Sequence, residues 1–307
     1  MVLFLLTRHR FAATIIYLFA TLGTLFLMPI RSAVAQNPDP AEMLKSIFER
    51  VGNGMGDMLP GMFTELNEEQ LKKLESVTIT PREESAFGAG VLKEFESGLQ
   101  AKNQQLLRNG KDAAYLQSLA ERIKPFMANR RRYPRLDIAV WETTLIDAYS
   151  IPGGHIIVTT GLLADCESEA ALVGVLAHEL SHLDHGHQLL SLKQQKSIGK
   201  TQDFQNGMLW IATLAKPMRP EFESEADEDA ARWSMSAGYD PRQLAHLLER
   251  WEVRLSGAQP WTNAIPEFAR THPQAGRRAA RVLEIYDSEK PNKELIVGVE
   301  NLRQRKR

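Results

Sequence analysis

Apolar residues run from Ala170 to Ala177 with only Gly174 to interrupt them. A run of this kind predicts a helix buried nearly all round. Asp165 or Ser168 can cap its start, and Glu167 and Glu169 stand near its positive end. Upstream, residues 65–76 read as a helix. Thr80-Pro81-Arg82-Glu83 then reads as a capping box with proline at the first helical position, opening a helix that runs to Asn109 and stops at Gly110. A further helix, 113–129, carries the apolar stripe Leu116, Leu119, Ala120 and Ile123. β-Branched and aromatic residues predict short strands over 136–141, 144–149 and 156–159, the last two separated by Pro152-Gly153-Gly154. Helices follow from Glu221 to Gly238, from Asp240 to Arg254 and from Gln274 to Tyr286. Met208 to Ala215 reads as a core helix, with a lid or a membrane-touching segment as alternatives. The pattern as a whole is α+β and predominantly helical, with a small sheet.

The buried run ends in His178-Glu179-Leu180-Ser181-His182, an H-E-x-x-H sequence. Residues four apart share a helix face, so both imidazoles can reach one metal ion. Buried ionisable groups need partners, and a metal is one that satisfies two histidines together. Zn²⁺ would lower the pKa of a bound water to about 7, and Glu179 is placed to take its proton. Glu223 and Asp227 share a face of the acidic helix that follows. A carboxylate there can be a third ligand, and a second can hold an imidazole by its other N–H. Acidic residues also suit a helix start, so spacing alone leaves both readings open. His187 can orient a neighbour, and His185 reads as a surface residue. An extended metzincin pattern would need Gly at 185 and His at 188, where the chain has His185 and Gln188. Pro273 fits the first position of a helix, which puts His272 at a fixed helix entrance.

Composition narrows the class. The 307 residues carry a formal net charge of −1, so nothing suggests a nucleic-acid partner. The one cysteine, Cys166, excludes an internal disulfide and reads as a small buried hydrophobe. Arg8 and Arg10 precede the apolar stretch 11–28, and Ala33-Val34-Ala35 matches a cleavage site, so residues 1–35 read as a signal peptide of nearly anchor length. Its removal takes Arg8, Arg10 and Arg31 and no acidic residue, leaving a mildly acidic exported protein. Residues 36–79 read as linker and short helices, 80–286 as the main domain and 287–307 as a charged tail, frayed over Arg303 to Arg307.

Four blocks, in order, resemble one family. They are Ile151-Pro152-Gly153-Gly154-His155 with Thr160-Gly161-Leu162-Leu163; the H-E-x-x-H helix with His187; Glu223-Ser224-Glu225-Ala226-Asp227; and Thr271-His272-Pro273 up to Arg278. Together they resemble the gluzincin endopeptidases of the HtpX, BepA/LoiP and CaaX-prenyl-protease group, above all the exported soluble members. The resemblance implies a zincin-like fold and one Zn²⁺ held by His178, His182 and Glu223, with Glu225 as the runner-up. It implies Glu179 as the base and Asp227 behind the ligands. Pro152, Gly153, Gly154 and His155 become the substrate edge, and His272 lies near the metal, as oxyanion donor or as a gate. Asp147-Ala148-Tyr149 stands where relatives often have Asn-Ala-Phe. The implied partners are misfolded or misassembled envelope polypeptides, with membrane association possible; no pattern specifies an oligomeric state. A chaperone or assembly factor on the same fold, and a membrane-anchored processing protease, are the competing functions.

Overall fold

A computed structural model describes residues 67–197, 199, 218–257, 268–289 and 291–305. The expected signal segment, the linker up to residue 66 and the apolar stretch 208–215 lie outside the described residues. In chain order the elements are α1 (Glu68–Glu75), α2 (Pro81–Gln100), β1 (Leu106–Leu107), α3 (Lys111–Ile123), β2 (Asp137–Trp141), β3 (Ala148–Ile151), β4 (His155–Thr159), α4 (Thr160–Asp165) and α5 (Glu169–His185). They continue with α6 (Leu190–Ser197), α7 (Pro220–Ser236), α8 (Arg242–Gly257), α9 (Phe268–Thr271), α10 (Ala275–Glu289) and α11 (Val299–Gln304). The fold is predominantly helical with one small sheet, as the pattern predicts.

The sheet has the order β1-β2-β4-β3. β2 and β4 pair in parallel, and β3 runs antiparallel to β4 at one edge. Side chains alternate across a strand, so each strand feeds two cores. Ile138, Val140, Ala148, Ile156 and Val158 pack with α3 and α5. Ala139, Trp141, Tyr149, Ile151 and Ile157 pack with Phe87, Val91, Phe95 and Leu99 of α2. The same alternation turns Ser150 to the side of Ala148, toward α5.

α5 is buried along almost its whole length. Ser168 is its cap, its side chain accepting from the Ala171 N–H at 3.2 Å. Asp165, the alternative cap, instead accepts from the Trp251 indole at 2.8 Å. At the other end Gly186 takes a left-handed conformation, φ 69°, which glycine adopts without a Cβ penalty. The Tyr133 hydroxyl lies 2.7 Å from both the Glu84 carboxylate and the Leu183 carbonyl, tying α2 to the last turns of α5.

Several boundaries differ from the sequence reading. α2 ends at Gln100, not Asn109, because Asn103 turns with φ 56° and Leu106 pairs with Trp141 as a strand. α3 closes at Ile123, where Pro125 tightens the chain into a 3-10 turn. The strand expected over 144–149 is β3, four residues long and shifted toward Ile151. Pro273 does not open α10. The short α9 precedes it, and Gln274 with φ 66° separates it from Ala275. The segment that follows α10 is tied back to α5. The carbonyls of Val297 and Gly298 accept from the N–H groups of Ala170 and Glu169, and Leu302 is buried against the core.

Candidate active site

Three elements meet at the end of the buried helix. α5 supplies His178, Glu179 and His182, α7 supplies Glu223 and Asp227, and the segment after α9 supplies His272; all six are buried. The i, i+4 spacing on α5 brings His178 Nε2 to 3.0 Å from His182 Nε2. Glu223 Oε1 lies 3.4 Å from His182 Nε2, and Glu223 Oε2 lies 3.6 Å from His178 Nε2. Two ligands held about 2.1 Å from a tetrahedral zinc stand roughly 3.4 Å apart, so this spacing fits the ion. His272 Nδ1 is 2.8 Å from Glu223 Oε1 and 3.3 Å from His178 Nε2, completing a cluster of four candidate ligands.

The donor chemistry fits as well. Burial, with the Arg278 charge beside it, pushes His178 down to about 4, so its ring is neutral and offers a lone pair. Burial alone raises the Glu223 carboxyl, but the charges of His272 and Arg278 outweigh it and hold the group well below the usual range. His178 Nδ1 lies 3.0 Å from Asp227 Oδ1, and Asp227 in turn receives Arg278 through two bonds of 2.8 Å. Asp227 is thus placed to fix the ring of His178, as carboxylates behind metal-binding histidines do. His182 Nδ1 meets His187 Nδ1 at 2.8 Å, and His187 Nε2 meets Glu225 Oε2 at 3.0 Å. Glu225 therefore faces away from the ligand cluster, behind His187. His185, expected at the surface, is exposed there and pairs with Asp229 at 2.8 Å.

Glu179 has two unlike oxygens. Oε2 accepts from the Ser150 hydroxyl at 2.6 Å, and Ser150 accepts from Gln188 Nε2 at 2.5 Å. Oε1 is buried without a hydrogen bond, with His272 Nε2 at 3.6 Å. A cleft lined by Ala148, Tyr149, Ser150, Glu179, Met218 and His272 opens beside it. One carboxylate oxygen is therefore anchored and the other is free to accept a proton.

The four residues expected at the substrate edge are placed elsewhere. Pro152, Gly153 and Gly154 form the β3–β4 turn, where Gly153 N–H donates to Glu84 at 3.2 Å. His155 lies on the interior strand β4, its Nδ1 2.9 Å from Asp137. The strand edge that borders the cleft is Ala148–Ser150. Sequence reasoning missed Ser150, Gln188 and the central place of Arg278. Arg278 had a signal as the last residue of the fourth block. Ser150 had none, because only the strand register turns it toward α5.

The model of Peptidase family M48 matches residues 111–286, which is more than half of the chain. Mitochondrial metalloendopeptidase OMA1 of Arabidopsis thaliana is 28% identical over 152 residues, covering 47% of this chain and 30% of the relative. The protein of the same name from Schizosaccharomyces pombe is 26% identical over 159 residues, covering 47% and 46%. Beta-barrel assembly-enhancing protease of Escherichia coli K12 is 26% identical over 155 residues, covering 44% and 31%. The chain thus spans between 30% and 46% of the length of these relatives.

Proposed function

The chain belongs to peptidase family M48, and from that premise we propose that it is an exported zinc-dependent endopeptidase acting in quality control of envelope proteins. One observation carries the peptidase reading: His178, His182 and Glu223 converge at ligand spacing beside a buried Glu179 oxygen that has no hydrogen bond. A zinc ion bound there would polarise the scissile carbonyl and acidify the attacking water. The chain's own groups do the rest. Glu179 Oε1 takes the proton of the attacking water and delivers it to the leaving amine, while Ser150 holds Oε2. Asp227 and His187 keep the two imidazoles turned inward. An extended polypeptide fits along β3 as an added strand, which suits unfolded or misassembled chains better than compact ones. The export and envelope parts of the reading rest on residues 1–35 and on the name of the bacterial relative.

A chaperone on the same fold would need no proton acceptor, and the free oxygen of Glu179 favours the enzyme. The test is metal analysis with casein cleavage by the purified mature protein, with and without a chelator. Cleavage that tracks one zinc per chain is expected. A zinc-loaded protein that leaves casein intact overturns the peptidase reading. Mass determination of the mature N-terminus tests export with cleavage after Ala35.

A further inference from the structure

A second cluster of metal-binding side chains lies on the outer side of the ligand helix. His185 and His187, from the C-terminal end of α5 and just beyond it, meet Glu225 on α7, and their donor atoms all lie within 4.8 Å of one another. His187 Nε2 is 3.0 Å from Glu225 Oε2, and His185 Nδ1 is 3.2 Å from Glu225 Oε1. These separations are close to the roughly 3.4 Å expected between ligands of a tetrahedral ion. The two imidazoles stack at 5.4 Å with an interplanar angle of 11°, and Phe222 stacks on the far face of His187 at 4.2 Å. The ring planes are therefore fixed before any ion arrives.

Charge and access agree with this geometry. Asp229 lies beside the cluster, 2.8 Å from His185 Nε2. Among the described residues the ion-pair partners of Glu225 and Asp229 are histidines, so the two carboxylates share no lysine or arginine. The side chains of His185 and Glu225 are 33% and 49% exposed, which lets an ion enter from solvent. Two imidazoles and a carboxylate suit Zn²⁺.

We propose that His185, His187 and Glu225 form a second, exchangeable Zn²⁺ site that lowers activity when it fills. The inhibition follows from the contacts. An ion on His187 Nε2 leaves the ring proton on His187 Nδ1, 2.8 Å from His182 Nδ1; a His182 that binds zinc through Nε2 also carries its proton on Nδ1, so two N–H groups face each other and the bond between the rings is lost. The imidazole of His182 then loses its fixed orientation, and ligands without such support bind metal about 10- to 100-fold more weakly.

The experiment counts ions independently of cleavage, so it can fail separately from the peptidase reading. The full chain carrying Glu179→Gln is titrated with Zn²⁺ against a chromophoric competitor, with and without His185→Ala. Two ions are expected with His185 intact, the second weaker, and one with His185→Ala. His185→Gln serves as a second variant of similar size should alanine disturb the helix end. In parallel, peptide cleavage by the Glu179-containing protein should fall as Zn²⁺ exceeds one equivalent and hold steady when His185→Ala is present. A single ion with His185 intact, or an unchanged second ion in both variants, overturns the site. Equal zinc inhibition with and without His185 overturns its regulatory part.

Discussion

The Ser150 hydroxyl donates to Glu179 Oε2 at 2.6 Å and itself receives Gln188 at 2.5 Å. This contact joins the edge strand β3 to the proposed base on α5. A substrate strand laid on β3 would therefore press on the residue that aims the base. Ser150→Ala removes the anchor while leaving all candidate ligands in place. Metal content should stay at one ion, and kcat should fall by about 10-fold with little change in KM, since only proton transfer is misaimed. Ser150→Thr keeps a hydroxyl and should restore part of the rate. Equal kcat in Ser150→Ala and the parent protein would remove the anchor from the mechanism.

Glu179→Gln tests the base itself. The amide matches the carboxylate in shape and can still accept from Ser150, but it takes no proton. Casein cleavage should drop by about 10²- to 10⁴-fold with zinc content and thermal midpoint unchanged. Cleavage at the parent rate would mean that another group moves the proton.

The convergence of His178 and His182 was legible because i, i+4 spacing on one helix needs no tertiary information. Glu223 was harder, since acidic residues at a helix start have a local explanation, and the choice over Glu225 came from resemblance alone. The structure separates them by direction, with Glu223 toward the ligand histidines and Glu225 toward His187. The sheet edge was misplaced for a physical reason. Pro152-Gly153-Gly154 marks a turn, and a turn says nothing about which flanking strand is left unpaired. That is settled by the parallel pairing of β2 with β4, a contact between segments with β3 lying between them in the chain. The ties from the Val297 and Gly298 carbonyls to α5 were invisible because backbone carbonyls carry no sequence signal.

Gly88 records how closely that turn is held. A Cβ placed there would stand 1.7 Å from the Pro152 carbonyl oxygen, which leaves no room for a methyl group. Gly88→Ala should destabilise the fold by about 1–3 kcal/mol through forced backbone displacement. Denaturant unfolding measures it, and Gly90→Ala is the control, since nothing lies near its Cβ position. Equal midpoints for the two variants would show that the turn gives way without cost.

Glu83 links pH to the attachment of α6. Its hydrogen bond from Lys196, with those from Thr80, pulls the carboxyl down from 4.5 to about 2. A depressed carboxylate contributes stability that is present above its unfolded value and lost as pH falls through the folded one. The side chain is 41% exposed, so the effect is small and screened by salt. Protection of the α6 amides, taken relative to the intrinsic exchange rate at each pH, should fall as pH drops from about 4.5 to about 2, and Glu83→Gln should weaken that dependence. The same pH dependence in Glu83→Gln would assign it to another group.

His272 stands among the candidate ligands rather than beside them. Its Nδ1 is 2.8 Å from Glu223 Oε1, its ring stacks on Phe268 at 4.2 Å, and its Nε2 faces Glu179 Oε1 at 3.6 Å. A catalytic zinc takes three protein ligands and keeps its fourth position for water or substrate. A fourth imidazole at ligand distance competes for that position, whereas an oxyanion donor would stand off and act only as charge develops. The positive φ of Gln274 sets the His272 segment apart from α10, and Arg278 of α10 donates to the His272 carbonyl at 3.1 Å, so a gate here would work by rotation of the His272 side chain. His272→Ala should therefore keep zinc on His178, His182 and Glu223, raise peptide turnover and tighten a hydroxamate inhibitor. A fall in kcat with unchanged inhibitor affinity would instead assign His272 to oxyanion stabilisation. The two roles separate on one pair of measurements, because a gate acts on access to the metal and a donor acts only on the transition state.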